Sequence, residues 1–419
     1  MHTQTDLPFS GWRVILPCFL AQNLAAGFAF GSFGPLLAST EQHFGVTRAV
    51  AATGMSLIML AVGGLAPLLG GLLQKVSVRS AMIGAAALSA VGYWGLALLP
   101  SFGLALLMFA MIGTGVCLLA ILGPLTLVSR WFISGQAKVL SIVNLPIALF
   151  VTPFIVAELL PEYGRFAVLG GIATIFLLLI PALLLIVDYP GRIGQTPRGT
   201  NMDPGGASGQ GTAGDRQLST REILASLPFW LLSLAIGVIS GSGIAFLVHI
   251  VPFGMERDLS LQAASGLLSV YAGAGIFGTL LVGWITDRIG PPSTLALTTL
   301  CAGLVWWGLL YVAGLPLFAL AALMGMCVVP VTTMHGAALS RLVGAASISR
   351  AMGISYAIVL PFIFGFAPLV GFLFDHADGY RLPFLVTAGL LAIASLGSVL
   401  MIFAVRKQKQ PFEAVVGQA

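Results

Sequence analysis

Residues 188–226 read DYPGRIGQTPRGTNMDPGGASGQGTAGDRQLSTREILAS. The inner stretch PRGTNMDPGGASGQGTAGDRQ is Gly-rich and polar, the composition of a flexible linker. Working outward, six apolar runs precede it, at 14–38, 49–73, 80–99, 103–127, 139–159 and 166–187. Six more follow, at 228–252, 262–285, 294–313, 317–339, 351–374 and 382–404. Crossing the hydrocarbon core takes roughly 20 residues of helix. Backbone groups in lipid must pair internally, so spans are helices or closed barrel strands. The runs lack the ten-residue segments of alternating polarity that a barrel needs. The reading is an all-α membrane protein of twelve transmembrane helices in two six-helix bundles, 1–187 and 227–419, with 188–226 as a cytoplasmic linker. Just past the Gly-rich part, Ser219-Thr220-Arg221-Glu222 has the form of a capping box and predicts a short interfacial helix before Pro228.

Composition agrees. The 419 residues are 58% hydrophobic and 8% charged, against roughly 25% charged in soluble chains. A pI near 9.2 does not indicate nucleic acid, because the basic residues are scattered between apolar runs. Cys18, Cys117, Cys301 and Cys327 all lie inside apolar runs, with no disulfide framework or metal spacing. Arg13 precedes an apolar run without a small-residue cleavage site, so the first span is expected to be retained. There is no H-E-x-x-H, Walker loop or serine-nucleophile motif. The chain therefore reads as neither an enzyme nor an ATP-driven pump, and no cofactor is expected.

Basic residues set the orientation. With the N-terminus in the cytoplasm, cytoplasmic segments hold 15 of the 19 Lys and Arg residues, and the outer loops hold Arg48, Arg165, Arg257 and Arg381. That asymmetry supports the span count and places both termini in the cytoplasm, in a cell (inner or plasma) membrane.

The two halves repeat. Gly71-Leu72-Leu73-Gln74-Lys75 and Gly283-Trp284-Ile285-Thr286-Asp287-Arg288-Ile289-Gly290 each follow a second span. Ser129-Arg130 and Ser340-Arg341 follow the fourth spans. Pro146 and Pro153 match Pro361 and Pro368 in the fifth, where kinks are expected. Glu158 and Asp375 close the fifth spans, and Tyr163 and Tyr380 open the sixth. The order suggests a duplicated six-span unit, the plan of a two-bundle, pseudo-symmetric transporter.

On these residues the chain resembles the major facilitator superfamily. GWITDRIG at 283–290 is similar to the family's loop motif after spans two and eight; in the first half Gln74 stands for the acid and Ser77 for the second glycine. A narrower resemblance is to the monocarboxylate and oxalate/formate branch. It rests on Gly11-Trp12-Arg13, SFGPLL at 32–37, FGVTRA at 44–49, RWF at 130–132, HIVPF at 249–253 and RAMGISY at 350–356. The branch implies movement of small organic anions. Its fixed charges are not here: the lysine position of span one is Gly31, and the Asp and Arg positions of span eight are Gly275 and Thr279. The resemblance implies a cavity lined by spans 1, 4, 7 and 10 with help from 5, 8 and 11. It also gives Gly283, Asp287 and Arg288 the role of a conformational latch.

Polar groups within spans are the site candidates, because they are costly in lipid. Asn23 and Asn144 are amides in apolar surroundings and read either as substrate ligands or as interhelical ties. His249 reads as a substrate anchor and proton carrier or as a residue near a helix end. His335 either faces the cavity or bonds to backbone. Tyr271 and Tyr356 offer hydroxyls, or sit in an interface belt. Glu158 is the nearest thing to an intramembrane acid and reads as a proton-coupling group, a member of a structural ion pair or a solvated residue. Trp306 and Trp307 are adjacent, so at least one faces lipid. The expected function is secondary transport of a small organic acid, mono- or aromatic, in symport with H+, by a monomer in the lipid bilayer, with no nucleic acid or metal. Efflux of an amphipathic compound and a transport-inactive sensor are the competing readings.

Overall fold

A computed structural model describes residues 10–132, 136–198, 218–343 and 347–416. Residues 199–217, the Gly-rich core of the predicted linker, lie outside the described residues. The fold is all-α. The first half holds α1 (Trp12–Ala26), α2 (Phe33–Phe44), α3 (Arg48–Gly64), α4 (Ala66–Lys75), α5 (Val78–Leu98), α6 (Phe102–Val116), α7 (Gly123–Trp131), α8 (Gln136–Val143) and α9 (Ile147–Leu184). The second holds α10 (Thr220–Leu224), α11 (Leu227–Glu256), α12 (Leu261–Ile289), α13 (Pro291–Gly308), α14 (Leu315–Val328), α15 (Val331–Val343), α16 (Ile348–Ala377) and α17 (Arg381–Val416). Each of the twelve apolar runs is helical over most of its length. Among the described residues, eight helical stretches are long and apolar enough to cross a membrane alone, and Arg48–Gly64 and Leu315–Val328 are shorter apolar helices. Two compact units form, Met1–Gly45 with Leu57–Ser208, and Val46–Ser56 with Gly209–Ala419.

Proline sets where the spans break. Two π-helical turns, Gly27–Gly31 and Cys117–Leu122, interrupt the first and fourth spans. Pro35 and Pro124 stand four residues after Gly31 and Ala120, so those carbonyls have no α-type donor. The fifth span breaks at Asn144–Pro146 and resumes as α9, and Gly164, at φ 74°, divides α9 into the fifth and sixth spans. Of the four repeated prolines only Pro146 stops a helix; Pro153, Pro361 and Pro368 lie inside continuous ones.

Glycines let helices close up at matching places in each unit. A Cβ on Gly27 would lie 2.5 Å from Ala148 Cβ, and one on Gly31 3.1 Å from Thr152 Cβ. The π-turn of the first span thus packs backbone-close on α9 through a small-x-x-x-small face. In the second unit Gly237 and Gly241, offset by 210 residues, do the same on α11. Their added Cβ atoms would lie 2.6 Å from the Phe362 ring and 2.5 Å from the Phe366 ring of α16.

The sequence repeat has a local counterpart as well. Gly290 ends α12 at φ 85° and ψ 154°, which lets Pro291 start α13 at once. In the first half Ser77 adopts an extended φ of −66° and caps α5 by accepting from the Ser80 N–H at 3.0 Å. Asp188 completes that cap. It is 2% exposed and accepts from the Val78 and Arg79 N–H groups at 2.9 and 3.0 Å. Beside it, Trp131 Nε1 donates to the Val187 carbonyl, Arg130 lies over the Tyr189 ring, and Arg198 N–H donates to the Trp131 carbonyl. Residues 188–198 of the predicted linker are therefore docked, not free. At its other end the capping box forms: Ser219 and Glu222 cap each other across α10.

Large apolar side chains cover the outside of the helices. Leu315, Leu280, Phe277, Leu68 and Leu185 are each more than 70% exposed. In water such a surface is an aggregation hazard, and in hydrocarbon it is solvated. Trp306 is buried against Phe384 and Phe246, whereas Trp307 is half exposed.

Candidate functional site

The first unit holds a cleft of about 350 Å³ where both π-turns and the break before Pro146 meet. Phe30 comes from the first π-turn, Ala120 and Ile121 from the second, Pro124 and Leu125 from α7, and Leu140 and Asn144 from α8 and the break after it. Among the described residues its polar side chains are Asn144, which is exposed, and Gln22 of α1. Gln22 Oε1 is buried and accepts no hydrogen bond. Irregular turns of this kind recur where helices present functional groups.

Asn144 is thus where a ligand can reach it, and Asn23 is not. Asn23 is 6% exposed, donates to the Phe19 carbonyl at 3.1 Å, and accepts from the Ala148 N–H at 3.0 Å. Ala148 opens α9, so its N–H has no carbonyl within its own helix. Asn23 supplies the missing acceptor and ties α1 to α9. Gln22, one residue earlier, was not among the residues singled out from sequence. Adjacent helical positions differ by about 100° in direction, and only the packing tells which amide meets α9.

In the second unit the polar candidates form two buried networks. His249 is 0% exposed, and its two nitrogens are both engaged: Nε2 lies 2.9 Å from the Ala367 carbonyl and Nδ1 3.2 Å from the Tyr380 hydroxyl. A carbonyl only accepts, so Nε2 carries a hydrogen, and in the neutral ring Nδ1 accepts from the Tyr380 hydroxyl. The Tyr380 oxygen in turn accepts from Arg48 Nη1 at 3.1 Å, and Arg48 pairs with Glu256 at 2.9 Å. α11 runs on to Glu256, so His249 sits inside a helix rather than near a solvated end. This arrangement leaves no ring nitrogen for a ligand. Tyr380→Phe should leave Nδ1 without a donor and lower stability by about 1–3 kcal/mol. Thermal unfolding in detergent checks this, and an unchanged midpoint would contradict it.

The second network links three helices. His335 Nε2 lies 2.8 Å from Ser355 Oγ, and Ser355 Oγ lies 2.7 Å from Ser233 Oγ, joining α15, α16 and α11. The Tyr356 ring meets His335 edge-on with centroids 5.3 Å apart and is half exposed. Sequence thus named two partners of this cluster, His335 and Tyr356, and missed the serines that connect them. Tyr271 is buried, stacked on Phe246 at 5.1 Å in an aromatic core. Glu158 is exposed. Asp287 is exposed, and Arg288 lies over the Trp284 ring at 3.7 Å, beside Gly283. Gly275 leaves no room for a charged side chain, because a Cβ there would lie 2.4 Å from Val329.

Comparison with known proteins follows the same lines. Among solved structures, a bacterial homolog to human lysosomal transporter Spinster, in inward-facing and occupied conformation, superposes with a TM-score of 0.71 at 14% identity, covering 94% of this chain and 97% of that one. Nucleoside transporter NupG superposes with a TM-score of 0.69 at 12% identity, covering 94% and 98%. These likenesses establish the fold. No curated protein sequence matches. The Major Facilitator Superfamily description matches residues 19–316. The chain belongs to the major facilitator superfamily and is a membrane transport protein, not an enzyme.

Proposed function

We propose that the protein is a secondary active transporter that carries a small organic solute, a mono- or aromatic carboxylate, across the cytoplasmic membrane by alternating access. H+ is its coupling ion, the monomer is the working unit, and both termini lie in the cytoplasm. The observation that carries this reading is the cleft lined by Gln22, Asn144 and apolar walls. A space of about 350 Å³ suits a drug-sized or smaller solute. Aromatic and aliphatic walls take the body of an aromatic acid, and the amides take its head. Asp287, Arg288 and Gly283 serve as the latch that the family loop motif implies. His335 and Tyr356 are the candidate solute contacts of the second unit, where the Tyr356 ring is half exposed, and His249 ties together the helices of that unit.

Purified protein in liposomes should accumulate labelled benzoic, phenylacetic or 4-hydroxybenzoic acid faster than protein-free vesicles when the outside is acidified. Acids that stabilise the folded state by mass action in a thermal-shift screen should be those transported. If none of the acids shifts the midpoint or enters above the protein-free rate, the carboxylate reading falls. The mostly apolar lining also favours a second reading, efflux of an amphipathic compound. Accumulation of a lipophilic cation or neutral dye in inverted vesicles, with no acid uptake, would support it.

A further inference from the structure

None of the twelve apolar runs contains a Lys or Arg, and their only acid is Glu158, which is exposed. At the cleft, the described lining has no titratable side chain. Arg130 ends α7 against Tyr189. Arg13 lies on α1 nine residues before Gln22, and Lys138 lies on α8 two residues before Leu140. Cys117 is fully buried within its π-turn. Among the described lining residues no side chain could balance the charge of a carboxylate seated here, and a buried anion left unbalanced is strongly disfavoured. Gln22, however, presents a buried carbonyl oxygen that accepts nothing. A carboxamide pairs with a neutral carboxylic acid through two hydrogen bonds: the acid O–H donates to the amide oxygen, and the amide N–H donates to the acid carbonyl.

We propose that Gln22 is the headgroup site of this cleft, assisted by Asn144, and that it takes the solute uncharged, as a protonated carboxylic acid or the isosteric primary amide. The inference rests on the carrier reading above. The coupling proton then needs no carrier group on the protein. A carboxylate picks up one proton on the acidic side and binds as the acid. It then releases that proton when it ionises on the other side. One proton and one carboxylate move together, and no net charge crosses.

The test uses proteoliposomes, with protein-free vesicles subtracted, and labelled benzoic acid alongside the stronger acid 4-nitrobenzoic acid. The neutral fraction of an acid falls about tenfold per pH unit above its pKa. Initial rates for both acids should fall on one line when plotted against neutral-acid concentration, at every pH. Benzamide should inhibit equally at all pH values, and a valinomycin-imposed potential should leave the rate unchanged. Gln22→Leu should weaken benzamide inhibition by about tenfold or more. These profiles are read on the unmodified protein, so they stand even where that variant folds poorly. Uptake that follows the anion concentration, ignores benzamide and responds to potential would overturn the role of Gln22 and leave the carrier reading intact. No protein-dependent uptake of either acid, with no benzamide binding in thermal shift, would overturn both.

Discussion

Gly241→Leu is expected to lower stability by about 3 kcal/mol or more and to cut the yield of folded protein. The added Cβ alone would lie 2.5 Å from the Phe366 ring and 2.7 Å from the Phe362 carbonyl oxygen. A ring can turn aside, but a helix backbone can yield only by moving α16 away from α11. Overpacking a close interface costs typically 1–3 kcal/mol, and the backbone contact puts this case at about 3 kcal/mol or more. That is a large share of an ordinary net stability of roughly 5–15 kcal/mol. Gly27→Leu should behave alike in the first unit, where Ala148 Cβ stands 2.5 Å from the added atom. Gly389 is the control: a Cβ there meets nothing within 4 Å, so Gly389→Ala should be neutral or slightly stabilising. Yield of monodisperse protein and thermal midpoint in detergent separate these cases. Equal midpoints for Gly241→Leu and Gly389→Ala would mean that α11 and α16 do not pack backbone to backbone.

Asp188→Ala should destabilise the first unit by about 2–4 kcal/mol. Two orphan N–H groups at the start of α5 lose their acceptor in a buried place. The negative charge that favours a helix N-terminus goes with it. Asp188→Asn keeps one acceptor oxygen and loses the charge, so it should fall between the parent and the alanine variant. Chemical denaturation in mild detergent reads the order. Matching midpoints for parent and Asp188→Ala would show that water or Ser77 satisfies those groups equally well.

The parts legible in the sequence are those governed by local chemistry. Twelve apolar runs became helix, because hydropathy over a span-length window is a local property. The capping box at Ser219 and the turn at Gly290 followed for the same reason: each is decided by residues within a few positions. Less of the site was legible. The π-turns have a signal, Pro35 and Pro124, but a proline only removes a donor and does not say how the freed carbonyl is met. Asn23 and Gln22 are neighbours of equal chemistry, and their roles were separated only by where α9 packs. His249 looked like a residue near a solvated end, because its apolar run stops at Pro252. Pro252 lies within α11, and Tyr380, distant in sequence, closes over the ring. Asp188 looked like the first residue of a linker, and its partners stand some 110 residues earlier.

The most direct test is counterflow. Proteoliposomes are loaded with unlabelled benzoic acid and diluted into a trace of labelled acid at one pH on both sides. A carrier that exposes one site to each side in turn predicts a transient overshoot of label, absent in protein-free vesicles and reduced at least about tenfold in Gln22→Leu. Label that rises only to equilibrium, at the protein-free rate, would contradict it.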